Sequence, residues 1–292
     1  MLLNICHRAL FQYARPVALR PHRIMTCPRG RYDLKLIKTL LSTTPPASVE
    51  WTQDVFGNLI ATAEFAASSE RLVIDSRTVV EQAATNWPAF SIAPSARTYP
   101  FQYGAEELLD LGALLLPVAD PGNELVCEWA RSFLMGHHPD TLTLSKAINE
   151  GVHREIRYRR HDEHVTQSAT ETLMALSGSP RDLATLFIES MRHLGIAARI
   201  VSGYVYDAAG AGRQGAAHTW AEIYLPSAGW IAFDPTNACT GSAGLVPVAI
   251  GRTIDQVMPV AGGHIGAPED LLRMRAEVSI VPAMSASQHA AY

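Results

Sequence analysis

The sequence predicts an α+β protein with three parts: an antiparallel β domain over residues 1–85, a proline-rich connecting segment over 86–123, and a core over 124–292. Three observations predict this. β-prone runs broken by turn signals fill the first part, a helical period takes over after residue 123, and strands return from about residue 197.

In the first part, Arg15-Pro16 and Pro28-Arg29-Gly30 punctuate the chain, and Leu34, Leu36 and Ile37 mark a strand within 32–40. Val49 to Thr52 and Asn58 to Phe65 flank Asp54-Val55-Phe56-Gly57-Asn58, a hairpin signal because glycine and asparagine accept the backbone of a tight turn. Leu72-Val73-Ile74 and Val79-Val80 supply a further strand, and the whole reads as a sandwich. The connecting segment holds Pro88, Pro94, Pro100, Pro117 and Pro121, yet also Trp87, Phe90, Tyr99, Phe101 and Tyr103. That aromatic content predicts a segment packed on both halves rather than a free tether. Leu125, Trp129 and Phe133, then Leu144, Ile148, Val152 and Ile156, recur at helical steps. Ser168-Ala169-Thr170-Glu171 is a capping box opening a short helix.

Composition excludes some classes of function. Charged residues are 18% and the formal net charge is -4, with no basic run longer than Arg157-Tyr158-Arg159-Arg160, so nucleic acid is not an expected partner. No apolar stretch reaches the length of a membrane-spanning helix, and Met1 to Arg8 lacks the pattern of a secretory signal. Cys6, Cys27, Cys127 and Cys239 are scattered without ligand spacing, which predicts reduced thiols and a cytoplasmic protein. His137-His138 and His161-Asp162-Glu163-His164 lack further ligands at matching spacing, so neither a metal nor a cofactor is expected.

The chemistry-bearing residues lie after Gly178. Ser179 is placed to accept at an N-cap, Pro180 suits N1, where a missing N–H costs nothing, and Asp182 sits near the positive helix end. Leu183, Leu186, Phe187, Met191 and Leu194 form one apolar stripe, which Gly195 ends. A strand over 197–206 follows, then a hairpin: Ala217-His218-Thr219-Trp220-Ala221-Glu222 runs out and Trp230-Ile231-Ala232-Phe233-Asp234 returns. Alternation puts His218, Trp220 and Glu222 on one face. If the turn pairs residues of equal parity, Asp234 lies beside His218, and a carboxylate there fixes the imidazole tautomer.

Four blocks, in order and spacing, resemble the transglutaminase-like group of papain-type cysteine enzymes: Gly178-Ser179-Pro180-Arg181-Asp182, Ser202-Gly203-Tyr204, His218-Thr219-Trp220-Ala221-Glu222 and Trp230-Ile231-Ala232-Phe233-Asp234-Pro235-Thr236-Asn237. The first part is similar to the β domain that precedes the core in the bacterial subfamily, with Asp54 to Asn58 as its most recognisable piece. The resemblance implies a papain/transglutaminase-like core in which a cysteine at the start of the central helix is the nucleophile, His218 the base and Asp234 the orienter. Pro180 occupies the cysteine position, and proline has no nucleophilic atom.

Two functions follow. One is a non-catalytic binding or regulatory module holding a peptide or protein segment in its cleft. The other is an amide-bond hydrolase or acyl transferase using His218 and Asp234 with a relocated nucleophile, Cys239 or Ser179. Each residue also has a plainer role. Ser179 suits an N-cap, Cys239 a free loop thiol, Trp220 a core aromatic, and His218 with Asp234 a packed polar pair. Arg181 and Asp182 are further cleft-lining candidates. The loop Asp207 to Ala216 reads as a lid or as a variable loop.

Overall fold

The computed structural model describes residues 1–83, 91–134, 138–159, 166–206 and 215–283. Six strands open the chain: β1 (Leu2–Leu19), β2 (His22–Ile24), β3 (Leu34–Thr44), β4 (Ala47–Gln53), β5 (Leu59–Phe65) and β6 (Ser69–Gln82). β6 pairs antiparallel with both β1 and β3, while β5 pairs antiparallel with β2 and β4. The two sheets enclose Ala9, Tyr13, Val17, Ile24, Ala61, Leu72 and Ile74. Pro16, which costs β1 a ladder donor, falls where its register against β6 shifts, between Gln12 and Val17.

The Asp54–Asn58 turn does more than reverse the chain. Asp54 Oδ1 accepts from the Phe56 and Asn58 N–H groups at 2.9 Å each, and Gly57 takes φ +70°. Asn58 is fully buried; its amide donates to the Ile250 carbonyl at 2.7 Å and accepts the Ile250 N–H at 2.9 Å. The turn is therefore a polar clasp between the β domain and the core.

The core begins with α1 (Ala105–Leu111), α2 (Asn123–Arg131) and α3 (Thr141–Glu155), followed by the short β7 (Arg157–Tyr158), α4 (Ala169–Ala175), β8 (Ser177–Gly178) and α5 (Pro180–His193). Ser168 caps α4 reciprocally with Glu171, as the capping-box pattern predicts. In α2 the buried residues are Val126 and Ala130, whereas Leu125 of the expected stripe is exposed. Five antiparallel strands form the core sheet: β9 (Ala198–Val205), β10 (Ala216–Leu225), β11 (Gly229–Asp234), the short β12 (Cys239–Thr240) at its edge, and β13 (Leu245–Gly251). Its order is β12-β11-β10-β9-β13. The stripe on α5 packs Leu183, Leu186, Phe187 and Met191 onto Ile200, Ala221, Ile223 and Phe233, with the Phe187 and Phe233 rings stacked at 5.2 Å.

The C-terminal end departs from the expected boundary. β14 (Val260–Ala261) joins β2, β15 (His264–Ile265) joins β1, and β16 (Leu271–Pro282) runs beside β1 over nearly its whole length. Residues 260–282 thus complete the β domain rather than the core. Leu3, Ile5, Val80 and Ile280 continue the cluster around α5, so one apolar core spans both parts. Where β1 meets the core, His7 is buried and its Nδ1 lies 3.1 Å from the Tyr204 hydroxyl, which donates to the Thr26 carbonyl.

Candidate active site

The start of α5 is built around Asp182. Ser179 sits at the N-cap, but its hydroxyl does not accept from the first turn. It donates to Asp182 Oδ2 at 2.8 Å, and the Ser179 N–H donates to the same oxygen at 2.7 Å. Asp182 Oδ1 accepts the Gln167 N–H at 2.9 Å. The physical reason is reach: a carboxylate at N3 bends back over the cap and, as a charged acceptor, gathers these three donors. Pro180 takes N1, half-buried, as its fixed φ and missing N–H favour.

The hairpin supplies the second half. β10 and β11 pair Ala221 with Phe233 and Glu222 with Ala232, so their residues match in parity and Asp234 falls diagonal to His218. His218 Nε2 lies 2.7 Å from Asp234 Oδ2, with both residues buried. A carboxylate only accepts, so Nε2 carries the hydrogen and Nδ1 is the nitrogen left to take a proton. Asp234 also accepts from Asn237 Nδ2 at 2.7 Å and from the Thr236 N–H at 3.0 Å. Burial pushes the Asp234 pKa up, but the bonds from His218 and Asn237 outweigh it and hold the carboxyl below its ordinary range. Asn237 and the Thr236 N–H are site partners that the pairing argument did not reach, although the Asp-Pro-Thr-Asn sequence after β11 carries them.

Behind the imidazole lies Trp220, its ring stacked on His218 at 6.3 Å between centroids. The indole is fully buried among Val201, Ala232, Leu245 and Ile250, so it backs the histidine from the core instead of lining a cleft. Gly203 sits opposite His218 on β9, and a Cβ there would strike the Val246 carbonyl and meet the Trp220 ring at 2.8 Å. That close approach is why the Ser202-Gly203-Tyr204 block holds glycine.

The remaining candidates stand apart from the imidazole. Cys239 is exposed and pairs with Asp234 across β11 and β12, but its thiol lies 3.3 Å from the Asn237 carbonyl. Desolvation and then the Asp234 charge push its pKa up, which disfavours the thiolate. Arg181 turns its guanidinium to the Met258 sulfur. Among the described residues no hydrogen bond joins His218 to Ser179 or to Cys239. His137, His161 to His164 and the loop from Asp207 to Gln214 lie outside the described residues, as do Trp87, Pro88 and Phe90.

A buried histidine–carboxylate pair on an antiparallel sheet, set with a helix that starts on a tied-down cap, defines the papain-type, transglutaminase-like class of fold. Comparison with known proteins agrees. Residues 128–235 match the transglutaminase-like superfamily and residues 3–81 match the bacterial transglutaminase-like N-terminal region. The chain thus carries a bacterial transglutaminase-like N-terminal region followed by a transglutaminase-like core. An uncharacterized protein of Mycobacterium tuberculosis is 24% identical over 277 residues, covering 89% of this chain and 86% of its own length. One from Mycobacterium leprae is 24% identical over 271 residues, covering 90% of this chain and 93% of its own. The crystal structure of a candidate cysteine protease from Cytophaga hutchinsonii is similar in fold, with a TM-score of 0.73 at 17% identity, over 97% of this chain and 91% of that one.

Proposed function

We propose that this protein is a non-catalytic transglutaminase-like module that holds a peptide or protein segment beside His218 and Asp234, with Pro180 in the nucleophile position. One observation carries the reading: among the described residues, neither Ser179 nor Cys239 is hydrogen-bonded to the imidazole. The Ser179 proton is given to Asp182, and Cys239 is held toward the protonated thiol. Acyl transfer needs a nucleophile within reach of its base, and each candidate is committed elsewhere.

The test is a paired assay of peptide hydrolysis and amine incorporation on the wild type, on His218→Ala and on Pro180→Cys. The wild type is expected to give no turnover. Pro180→Cys is expected to gain a thiol that iodoacetamide alkylates faster than Cys239, since a helix N-terminus favours the thiolate. Wild-type turnover that disappears in His218→Ala would overturn the proposal. It would favour the second reading, an amide-bond hydrolase or acyl transferase with a relocated nucleophile. The observation on that side is the intact pair, whose 2.7 Å bond leaves Nδ1 in the form a general base requires.

A further inference from the structure

β16 bonds β1 on one side, and among the described residues no strand bonds its other side. The phase of its free backbone groups is fixed. The Ala283 N–H donates to the Leu2 carbonyl at 2.9 Å, and antiparallel ladders alternate, so the odd-numbered residues of β16 bond β1. The N–H and C=O groups of Met274, Ala276 and Val278 therefore point away from the sheet. Position 282 falls in the same outward phase, and there proline has no N–H to leave unpaired. The register with β1 is unbroken from Arg273 to Pro282, and Gly215 packs on the Ile280 side chain at the far end. Arg273 to Ser279 is thus a straight, open edge.

An open edge is a template for another strand, and proteins blunt it with lysine, proline or a bulge. β3 is blunted in this way: its register against β6 shifts between Leu36 and Lys38, and its charges, Lys35 and Lys38, share one sign. β4 carries Glu50 alone. β16 has no lysine and no interior proline, and its charges are of both signs. Asp75, Arg8 and Glu277 stand opposite one another on β6, β1 and β16, so a row of alternating charge ends on an anion at the edge. Glu277 meets Arg275 of its own strand at 2.7 Å, but both side chains are more than half exposed, at 53% and 57%, and such a pair contributes little.

These charges are self-complementary. Two copies of β16 run antiparallel about a two-fold axis at Ala276 place Arg275 opposite Glu277 of the second copy, Arg273 opposite Ser279 and Met274 opposite Val278. The outward phase makes Ala276 a hydrogen-bonded pair with itself in that register. Moving the axis to residue 275 or 277 sets Arg275 or Glu277 against its own copy, and like charges directly opposite destabilise a ladder. We propose that β16 pairs with β16 of a second copy about Ala276, joining two β domains into one continuous sheet across a closed, two-fold dimer.

The test is sedimentation velocity of the full chain over a concentration series in the micromolar range. The wild type is expected to dimerise and to dissociate on dilution. Ala276→Pro removes the outward N–H at the axis and is expected to be monomeric. Glu277→Arg and Arg275→Glu each oppose like charges and are expected to weaken the dimer about tenfold or more. Mixed in equal amounts, these two variants are expected to form a heterodimer, because two arginines on one strand then face two glutamates on the other. That mixture scores pairing even where Ala276→Pro fails to fold, which circular dichroism reports. A wild type that stays monomeric, a dimer untouched by a folded Ala276→Pro, or a mixture that does not associate would each overturn the proposal.

Discussion

Replacing Asp234 by Asn tests the geometry of the site most directly. In the wild type, Oδ2 accepts from His218 Nε2 and from Asn237 Nδ2, both at 2.7 Å, and Oδ1 accepts from the Thr236 N–H at 3.0 Å. Asparagine keeps one acceptor oxygen for the backbone donors and puts an NH2 where Oδ2 stood, facing two donors. Each charge-assisted bond contributes about 1.5–3 kcal/mol. His218 recovers one bond by moving its hydrogen to Nδ1, and the net loss is about 2–3 kcal/mol. At roughly 2–4 °C per kcal/mol that lowers Tm by roughly 4–12 °C. The sign of the pH dependence follows from the depressed carboxyl. Its contribution is full above the ordinary value of 3.8 and is lost as pH falls through the lower folded value. The Tm gap between wild type and Asp234→Asn is therefore constant near neutrality and closes in acid. Nitrogen NMR of the imidazole reads the cause separately: Nε2–H in the wild type, Nδ1–H in the variant. A wild-type Nδ1–H tautomer, or a gap that widens as pH falls, would refute this account.

Two further predictions concern the scaffold. Glu189→Gln leaves the Arg192 guanidinium, fully buried and 2.6 Å from Glu189, without its counter-charge and costs about 3–5 kcal/mol in thermal or denaturant unfolding. Glu277→Gln, the same change at an exposed pair with Arg275, costs under about 1 kcal/mol, and equal losses at the two sites would contradict the burial argument. His7 is the other titrating group at the junction, where burial lowers its pKa from 6.5 to about 4. The neutral ring contributes stability that is full above 6.5 and is lost as pH falls toward 4, at roughly 1.4 kcal/mol per pH unit. His7→Phe flattens the stability profile over that window, leaving the Tyr204 hydroxyl its bond to Thr26. A variant that keeps the wild-type slope would place the titration elsewhere.

Much of this architecture was legible because its signals are local. The helix start at Gly178 to Asp182, its apolar stripe and the Gly195 stop each lie within one turn of the residues they govern, and the β10–β11 hairpin follows from alternation about a short turn. Long-range pairing has no such local mark. Nothing in Leu271 to Pro282 names β1 as its partner, and the return of β16 to the first domain was invisible in the sequence for that reason. Asn58 shows the same limit within one residue: its place in a turn was readable, while its two bonds to Ile250 join positions far apart in the chain.

Pro180 separates the stability of the helix from the chemistry of its first residue. Asp182 draws in the Ser179 N–H, the Ser179 hydroxyl and the Gln167 N–H, so the entry into α5 is held by residues on either side of position 180. Proline at N1 asks for no hydrogen bond and fixes the φ that the helix needs. The side chain at 180 can therefore change without loosening the scaffold, which is not true of Asp234, where four groups lean on one carboxylate. A well-formed helix start is thus no measure of catalysis in this fold. The discriminating quantity is what stands within reach of His218 Nδ1, because that nitrogen holds the lone pair that the Asp234 bond leaves exposed to chemistry.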